Sequence, residues 1–511
     1  MMYGEEKSDS LIVAANLANN PQGAESVERR SGAKGNAEQP HMRRTQSRES
    51  MSQRLSRVRE AAKQRKKERF TALFHLLTAE ALENAFLSLS RKAAAGVDGV
   101  RWKDYAENLK VNIADLHRRL HQGSYRAQPG RRHYIPKADG KQRPLGIASL
   151  EDKIVQYALV KILNAVYEND FMGFSYGFRP GRSQHNALDA LATGLVRTNV
   201  NWVLDADISQ FFDKVSHEWL IRFIEHRIGD QRVIRLIRKW LTAGTSEEGE
   251  WRASEEGEWR ASEEGEWRAS EEGTPQGAVI SPLLANIYLH YVFDLWAHQW
   301  RRRHATGNVV MVRYADDIVI GFDKRIDAQC FRIAMQRRLK EFGLTVHPKK
   351  TRLMEFGRFA AENRASRGKG KPETFNFLGF THISGKDRSG RFMLIRKTRR
   401  DRMTATLKAI KDGLRKRWHY SIPEQGKWLR RVVQGYLNYH SVPGNYPMMR
   451  KFRIYVTDLW RRALRRRSQQ DDTTWTKANR LAAVWLPKVR VLHPWPVERF
   501  TARHPRQEPG A

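Results

Sequence analysis

The chain has 511 residues, with 92 lysines and arginines against 56 aspartates and glutamates, and a formal net charge of +36. A surplus that large exceeds what solubility needs and points to a polyanionic partner. The single cysteine, Cys330, excludes a disulfide framework and a cysteine-cluster zinc site, and reads as a buried small apolar residue. The longest early apolar run, Leu11 to Ala18, is too short for a membrane span or a signal peptide, so a cytoplasmic, nucleic-acid-bound protein of two or three domains is expected, with no membrane partner.

The first fifty or so residues are polar and rich in Gly, Ser, Asn, Glu and Arg, and read as a disordered tail. A basic helix-like stretch from Arg54 to Arg69 leads into apolar Phe70, Leu73, Phe74, Leu76 and Leu77. Helices are expected around 151–167 and 281–301, the second opening at Ser281-Pro282, where proline fits the first turn. Between them Trp202-Val203-Leu204-Asp205-Ala206-Asp207-Ile208 alternates with period two. Trp202, Leu204, Ala206 and Ile208 share one face, and Val203, Asp205 and Asp207 the other. Phe211-Phe212-Asp213 follow, then a helical run from His217 to Ile228.

An octad, Ser-Glu-Glu-Gly-Glu-Trp-Arg-Ala, fills 246–253, 254–261 and 262–269, and its first half recurs at 270–273. Each unit carries a net charge of −2 on a basic protein. Such units can pair as small hairpins, but the favoured reading is a tolerated surface insertion, because loop-closure entropy grows slowly with length.

Tyr314-Ala315-Asp316-Asp317 stands between Val309-Val310-Met311-Val312 and Ile318-Val319-Ile320. Two β-rich runs around a short acidic step read as a hairpin with carboxylates at its tip. Adjacent carboxylates repel, and Mg²⁺, which takes oxygen ligands, would neutralise them. If the strand ending at Asp207 lies beside this hairpin, carboxylates from both share metal ions, the arrangement suited to in-line phosphoryl transfer. The pattern alone does not choose between Asp205 and Asp207. Arg364 to Lys371 is a basic loop before the strand Phe375–Phe380. From Arg396 the pattern turns helical and basic: 399–417 hold eight Lys/Arg and two Asp, and 450–467 eight Lys/Arg and one Asp, interleaved with Phe452, Tyr455, Leu459 and Trp460. Amphipathic helices whose wet face tracks a phosphate backbone are expected there.

Asp207 with Phe212 five residues on, and Tyr-Ala-Asp-Asp downstream, resemble the palm of reverse transcriptases. The chain is more specifically similar to bacterial group II intron-encoded reverse transcriptase/maturases. The matching stretches are Ala94–Val100, Tyr134–Lys137, Gly140–Ile147, Ser175–Ser183, Thr274–Gly277, Ser281–Asn286 and Phe377–Phe380, in order over roughly residues 55–511. The resemblance implies an α+β right-hand polymerase, with fingers, a palm built on an antiparallel sheet, and an α-helical thumb or maturase domain X. The implied division is a tail at 1–55, fingers at 56–200, palm at 201–395 with the octad insertion at 246–273, and helical thumb at 396–511.

The resemblance also assigns roles. It selects Asp207, with Asp316 and Asp317, as catalytic ligands of two Mg²⁺ ions. It assigns nucleotide contacts to Lys137, Arg143, Phe212, Gln276, Gly277 and Lys350, with Phe212 excluding a 2′-hydroxyl. Ala278 departs from the second glycine that many relatives carry. The expected partners are an RNA template and DNA primer, deoxynucleoside triphosphates, target DNA and the parent group II intron RNA, the last through Arg461, Arg462, Arg465, Arg466 and Arg467, whose planar donors suit phosphates. No nuclease module is read after Phe500, so the primer is expected from another source. The rival readings are an RNA-binding splicing factor without polymerase chemistry and a domesticated reverse transcriptase of phage defence.

Overall fold

The computed structural model describes residues 50–136, 142–246, 251–253, 259–261, 267–268, 272–274, 277–467 and 473–503. The polar tail up to residue 49 therefore lies outside the described residues, as do Lys137 and Gln276.

The chain begins with helix Met51–Gln64, closed at its N-terminus by a Ser50/Gln53 capping box. Helices Ala79–Ser88, Trp102–Glu107 and Leu109–Gln122 follow. Strands β1 (Gly130–Pro136) and β2 (Gln142–Ile147) pair antiparallel, with Ile135 opposite Arg143. Helix Leu150–Tyr167 is buried along most of its length and is capped by Ser149, whose hydroxyl accepts from the Asp152 amide. Helix Gln184–Arg197 leads to β3 (Trp202–Asp207).

The octads do pair. After β4 (Thr245–Ser246), β5 (Trp251–Ala253) and β6 (Trp259–Ala261) form a two-stranded unit, with Trp251 opposite Ala261. β7 (Trp267–Arg268) pairs with β4, which lies parallel to the start of β1, so the order is β2-β1-β4-β7. The insertion thus adds strands to the edge of the β1–β2 hairpin.

The long helical pattern at 281–301 is one rod with a widened turn: α-helix Ser281–Leu289, a π turn His290–Asp294, and α-helix Leu295–His304. A π turn re-aims side chains inside a helix, and here it contains the fully buried Asp294. Then come β8 (Val309–Tyr314), β9 (Asp317–Phe322), helix Arg325–Lys340 and β10 (Arg352–Glu355). The antiparallel sheet β10-β3-β9-β8 is the centre of the first and larger hydrophobic core. Both its faces are covered, so Val203, on the acid-bearing face of β3, is as buried as Leu204. The face opens only at the Asp207 end.

β11 (Phe375–Phe377), β12 (Phe380–Lys386) and β13 (Phe392–Thr398) form a three-stranded sheet. Here three expectations fail: the run Phe375–Phe380, expected as one strand, turns back on itself at Leu378-Gly379, both with positive φ. Arg396, where a helical pattern was expected to begin, is in β13, because Leu394, Arg396 and Thr398 alternate inward with period two. The helix opens only at Arg400. Cys330 is exposed, not buried: on helix Arg325–Lys340 the inward stripe is Ala328, Phe331, Met335 and Leu339.

Helices Arg400–Arg415, Ile422–His440, Tyr446–Arg465 and Trp475–Trp485 pack around a second, separate core centred on Leu429, Val433, Phe452, Val456 and Trp460. The last helix, Pro496–Arg503, returns to the first core: Phe500 packs there, and the Arg499 guanidinium donates to the Asp189 carboxylate of helix Gln184–Arg197.

Identical octads make the insertion tolerant of unit number. Removing residues 246–261 leaves one complete octad, with serine still following Thr245 to pair with the last Trp-Arg step. The expected outcome is an unfolding midpoint close to that of the parent, since closing a loop of half the length changes free energy by only about 0.6 kcal/mol. A large drop in thermal unfolding temperature or loss of soluble protein would contradict it.

Candidate active site

Three aspartates meet at one end of the central sheet. Asp207 ends β3 and stands opposite Asp317, the first residue of β9. Asp317 is also opposite Tyr314 across the β8–β9 hairpin, so Ala315 and Asp316 form its two-residue turn. Ala315 has φ +56°. A residue with a Cβ pays roughly 1–2 kcal/mol to enter this left-handed region, so the surroundings must hold it there.

They do so through a buried arginine. Arg313, the fifth residue of β8, has no solvent exposure. Its Nε donates to Asp294 Oδ1 at 2.7 Å and its Nη2 to Ser175 Oγ at 2.7 Å. Its Nη1 donates to Asn286 Oδ1 at 3.1 Å and to the Ala315 carbonyl at 3.0 Å. Asn286 Nδ2 donates in turn to the Gly177 carbonyl at 2.7 Å. Gly177 lies so close to the turn that a Cβ there would collide with the Ala315 backbone nitrogen. The Ser175–Gly177 and Ser281–Asn286 segments thus form a cradle beneath the acidic turn.

Lys350 completes the cluster. His347 donates its backbone N–H to the Asp207 carbonyl at 2.7 Å, and the following turn carries Lys350 Nζ to 2.8 Å from Asp207 Oδ2. Asp205 stands one pair inside the sheet end, opposite Arg352, whose guanidinium is 3.9 Å away. Desolvation pushes the Asp205 carboxyl up to about 6, with Asp207 adding to the rise and Arg352 opposing it. The Asp317 carboxyl is pushed up to about 7, first by desolvation in the crowded cleft and then by the charges of Asp316, Asp207 and Asp205. Lys350 pulls it down. Asp317 keeps an accessible surface, so the cleft crowds this group without sealing it.

Among the described residues no three His, Cys, Asp or Glu side chains stand together as a ready metal cage. The chemistry of the donors nevertheless fits a hard divalent cation. They are all carboxylates, the charges of Asp316 and Asp207 raise the proton affinity of Asp317, and the cation now touching Asp207 is an ammonium.

The rim of this cleft carries part of the expected nucleotide contacts. Phe212 lies in a tight turn, Phe211–Asp213, with its ring edge-on to buried Phe211 at 5.4 Å between centroids. Its carbonyl accepts from the Thr274 N–H at 2.7 Å, which brings Thr274 beside it. Gly277 has φ +111° and faces the Gly146 carbonyl of β2, where a Cβ would approach to 3.0 Å. Buried Ala278 follows it. Of Arg143 the backbone pairing to Ile135 is described.

The five C-terminal arginines lie on the second core and divide into two kinds. Arg461 pairs with Asp458 at 2.9 Å and stacks over Trp475 at 4.9 Å. Arg467 donates to the carbonyls of Trp418 (2.7 Å) and Tyr420. Both hold the helical unit together. Arg462, Arg465 and Arg466 are exposed, although Arg462 also reaches Asp458 at 2.7 Å. The Arg313 cradle was missed by sequence reasoning. Its one signal is an arginine inside the apolar run Val309–Tyr314.

Residues 135–382 match the family model described as reverse transcriptase (RNA-dependent DNA polymerase). The chain is 39% identical over 222 residues to Protein YkfC of Escherichia coli strain K12, covering 42% of this chain and 54% of that protein. It is 35% identical over 239 residues to the group II intron-encoded protein LtrA of Lactococcus lactis subsp. cremoris, covering 46% of this chain and 37% of that protein. A shorter stretch of 91 residues is 32% identical to Nuclear intron maturase 2, mitochondrial, of Arabidopsis thaliana, covering 18% of this chain and 12% of that protein. The matches thus span about half, or less, of the length of these relatives. Residues 135–382, which include the central sheet and the acidic turn, thus form a reverse transcriptase domain. The relatives it resembles include a group II intron-encoded protein and an intron maturase.

A buried charge that loses its partner is costly. Asp294→Ala strands the Arg313 guanidinium in the core, and the expected loss is about 3–5 kcal/mol. Chemical denaturation measures it. A variant as stable as the parent would show that Arg313 does not depend on this pair.

Proposed function

We propose that the protein is an RNA-directed DNA polymerase of right-hand form, with fingers at 56–200, a palm from 201 through the strand ending at Thr398, and a helical thumb from Arg400 onward. It also binds its parent group II intron RNA as a maturase, supporting splicing and retrohoming. The observation that carries this reading is the convergence of Asp207, Asp316 and Asp317 on the open end of one antiparallel sheet, with Phe212 and Gly277 at its rim. The similarity to a group II intron-encoded protein and to an intron maturase supports the intron-linked half of it.

In this reading Asp207, Asp316 and Asp317 hold two Mg²⁺ ions. Bound there, the ions supply activation of the primer 3′-hydroxyl and neutralisation of the leaving oxygen in an in-line transfer to the nucleotide α-phosphorus. The chain's own residues do the rest. Lys350, released from Asp207, offers its ammonium to the triphosphate together with Arg143 of β2 and Lys137, the residue after β1 in the sequence, as cations facing charge that shifts during transfer. Gln276 and Gly277 lie against the nascent base pair, where the absence of a side chain at Gly277 permits close approach. Phe212 packs against the sugar and excludes a 2′-hydroxyl by bulk. Arg462, Arg465 and Arg466 present planar donors to the phosphates of structured RNA.

Primer extension on an RNA template tests the reading. Synthesis is expected to require Mg²⁺ and to fall to background in Asp207→Ala and in Asp316→Ala, while Asp205→Asn keeps most of it. Near-normal synthesis by the first two variants would remove the assignment.

Sugar selection is a separate outcome. Phe212→Val is expected to raise incorporation of ribonucleotides relative to deoxyribonucleotides, read from parallel extension reactions. Unchanged selectivity would make Phe212 a packing residue only.

A further inference from the structure

A second basic surface lies away from the carboxylates and has no role in the reading above. β10 runs antiparallel to β3, with Arg352 opposite Asp205 and Glu355 opposite Trp202. The segment after Glu355 therefore leaves the sheet at the end remote from Asp207, about 17 Å away for five residues of strand. It forms helix Ala360–Ala365 and a compact turn that reaches β11. The turn is closed internally. Arg364 donates to the Gly370 carbonyl at 3.0 Å and pairs with Glu373 at 3.3 Å. Arg367 donates to the Asn363 carbonyl at 2.7 Å and pairs with Glu355.

The tip of the β12–β13 hairpin joins this segment. Lys386 Nζ pairs with Glu362 at 3.0 Å, and the Gly357 N–H donates to Ser384 Oγ at 3.1 Å. At the tip itself Asp387 is taken by Arg391 at 3.0 Å. Every carboxylate of the two segments is thus already paired. Four exposed cations remain, Arg358, Lys369, Lys371 and Arg388, and among the described residues none of them has an ion-pair partner. Phe359, beside Arg358, is 42% exposed. A solvated charge run has no need of a folded platform. Here ion pairs and backbone hydrogen bonds fix the platform and leave a fixed set of cations around an exposed aromatic ring.

We propose that this surface is a second nucleic-acid contact, binding the phosphates of a folded RNA, with Phe359 available to stack on an unpaired base. The proposal rests on the intron-RNA half of the reading above and assigns it a contact that is separate from the C-terminal arginines. The product duplex offers the same phosphodiester chemistry, but Arg358, just after Glu355, and Arg388, at the hairpin tip joined to that segment, lie at the end of the sheet opposite the carboxylates where that duplex is made. The loop carrying Lys369 and Lys371 runs from there back to Arg352, which donates to the Thr374 carbonyl.

The test changes Arg358, Lys369, Lys371 and Arg388 together to alanine in the full chain. Filter binding is measured across a range of KCl with two probes, a base-paired RNA carrying an internal loop and a short RNA–DNA primer–template. Affinity for the looped RNA is expected to fall on the order of tenfold or more, and its log–log salt dependence to become shallower by about 3, close to one counterion per lost cation. Binding and extension of the primer–template at low salt are expected to stay at the parental level. Arg358→Lys with Arg388→Lys is expected to keep the parental salt dependence. Unchanged binding of the looped RNA overturns the proposal. Equal loss on both probes also overturns it, because the surface then belongs to the primer–template channel. Failure of the polymerase reading would appear elsewhere, as absence of extension by the parental protein. All four side chains are exposed, so thermal unfolding of the variant should match the parent.

Discussion

A guanidinium with no solvent contact lies directly beneath the acidic turn, and the geometry of the cleft depends on it. Burying an arginine is unfavourable unless a counter-charge and hydrogen bonds replace its water. Arg313 obtains these from Asp294, Ser175, Asn286 and the Ala315 carbonyl. The partners lie on three segments, so satisfying one side chain gathers the Ser281–His304 rod, the loop at Ser175 and the turn of the hairpin at one point. The same bonds hold Ala315 in its left-handed conformation. That conformation turns the chain within two residues and sets Asp317 opposite Asp207.

The second constraint is repulsion among the carboxylates. Crowding raises the proton affinity of Asp317, and Lys350 relieves part of it from above Asp207. The ammonium is carried on a short turn anchored by His347 to the backbone of Asp207 itself, so the neutralising charge and the acid it neutralises move together. Such a cluster has residual negative charge at an open sheet end, on a chain whose net charge is +36. Elsewhere the basic surplus is spread over surfaces of two kinds. On some, as at Arg461 and Arg467, arginines bind carboxylates and carbonyls within the fold. On others, as at Arg465 and Lys369, they face solvent.

Much of this was legible in the sequence where the signal was local. The apolar runs on either side of Ala315-Asp316 predict a hairpin, and the period-two pattern of Trp202–Ile208 predicts a strand with acids at its end. Proline at a first turn marked the helix expected at 281–301, although Ile280 rather than Ser281 stands at its cap and the rod runs on to His304. What the sequence hid was long-range. Ser175 is 138 residues from Arg313, and nothing near either residue announces the bond. The choice between Asp205 and Asp207 is likewise a matter of register: one faces Arg352 inside the sheet, the other ends the strand opposite Asp317. Charge runs mislead for a related reason, since composition does not reveal which arginines find partners in the fold. Arg396 reads as part of a basic helix and is a buried strand residue beside Asp189, at 3.7 Å. Cys330 reads as core by residue type and faces outward by helical phase.

The central claim is that the three aspartates form one cation site over which Lys350 acts as a resident counter-charge. Direct titration with Mn²⁺, followed by the loss of its free electron paramagnetic resonance signal, tests this without any nucleic acid or turnover. The account predicts saturable binding by the parental protein, its loss in Asp316→Ala, and tighter binding in Lys350→Ala, where the competing ammonium is gone. Binding that is indifferent to both substitutions would contradict it.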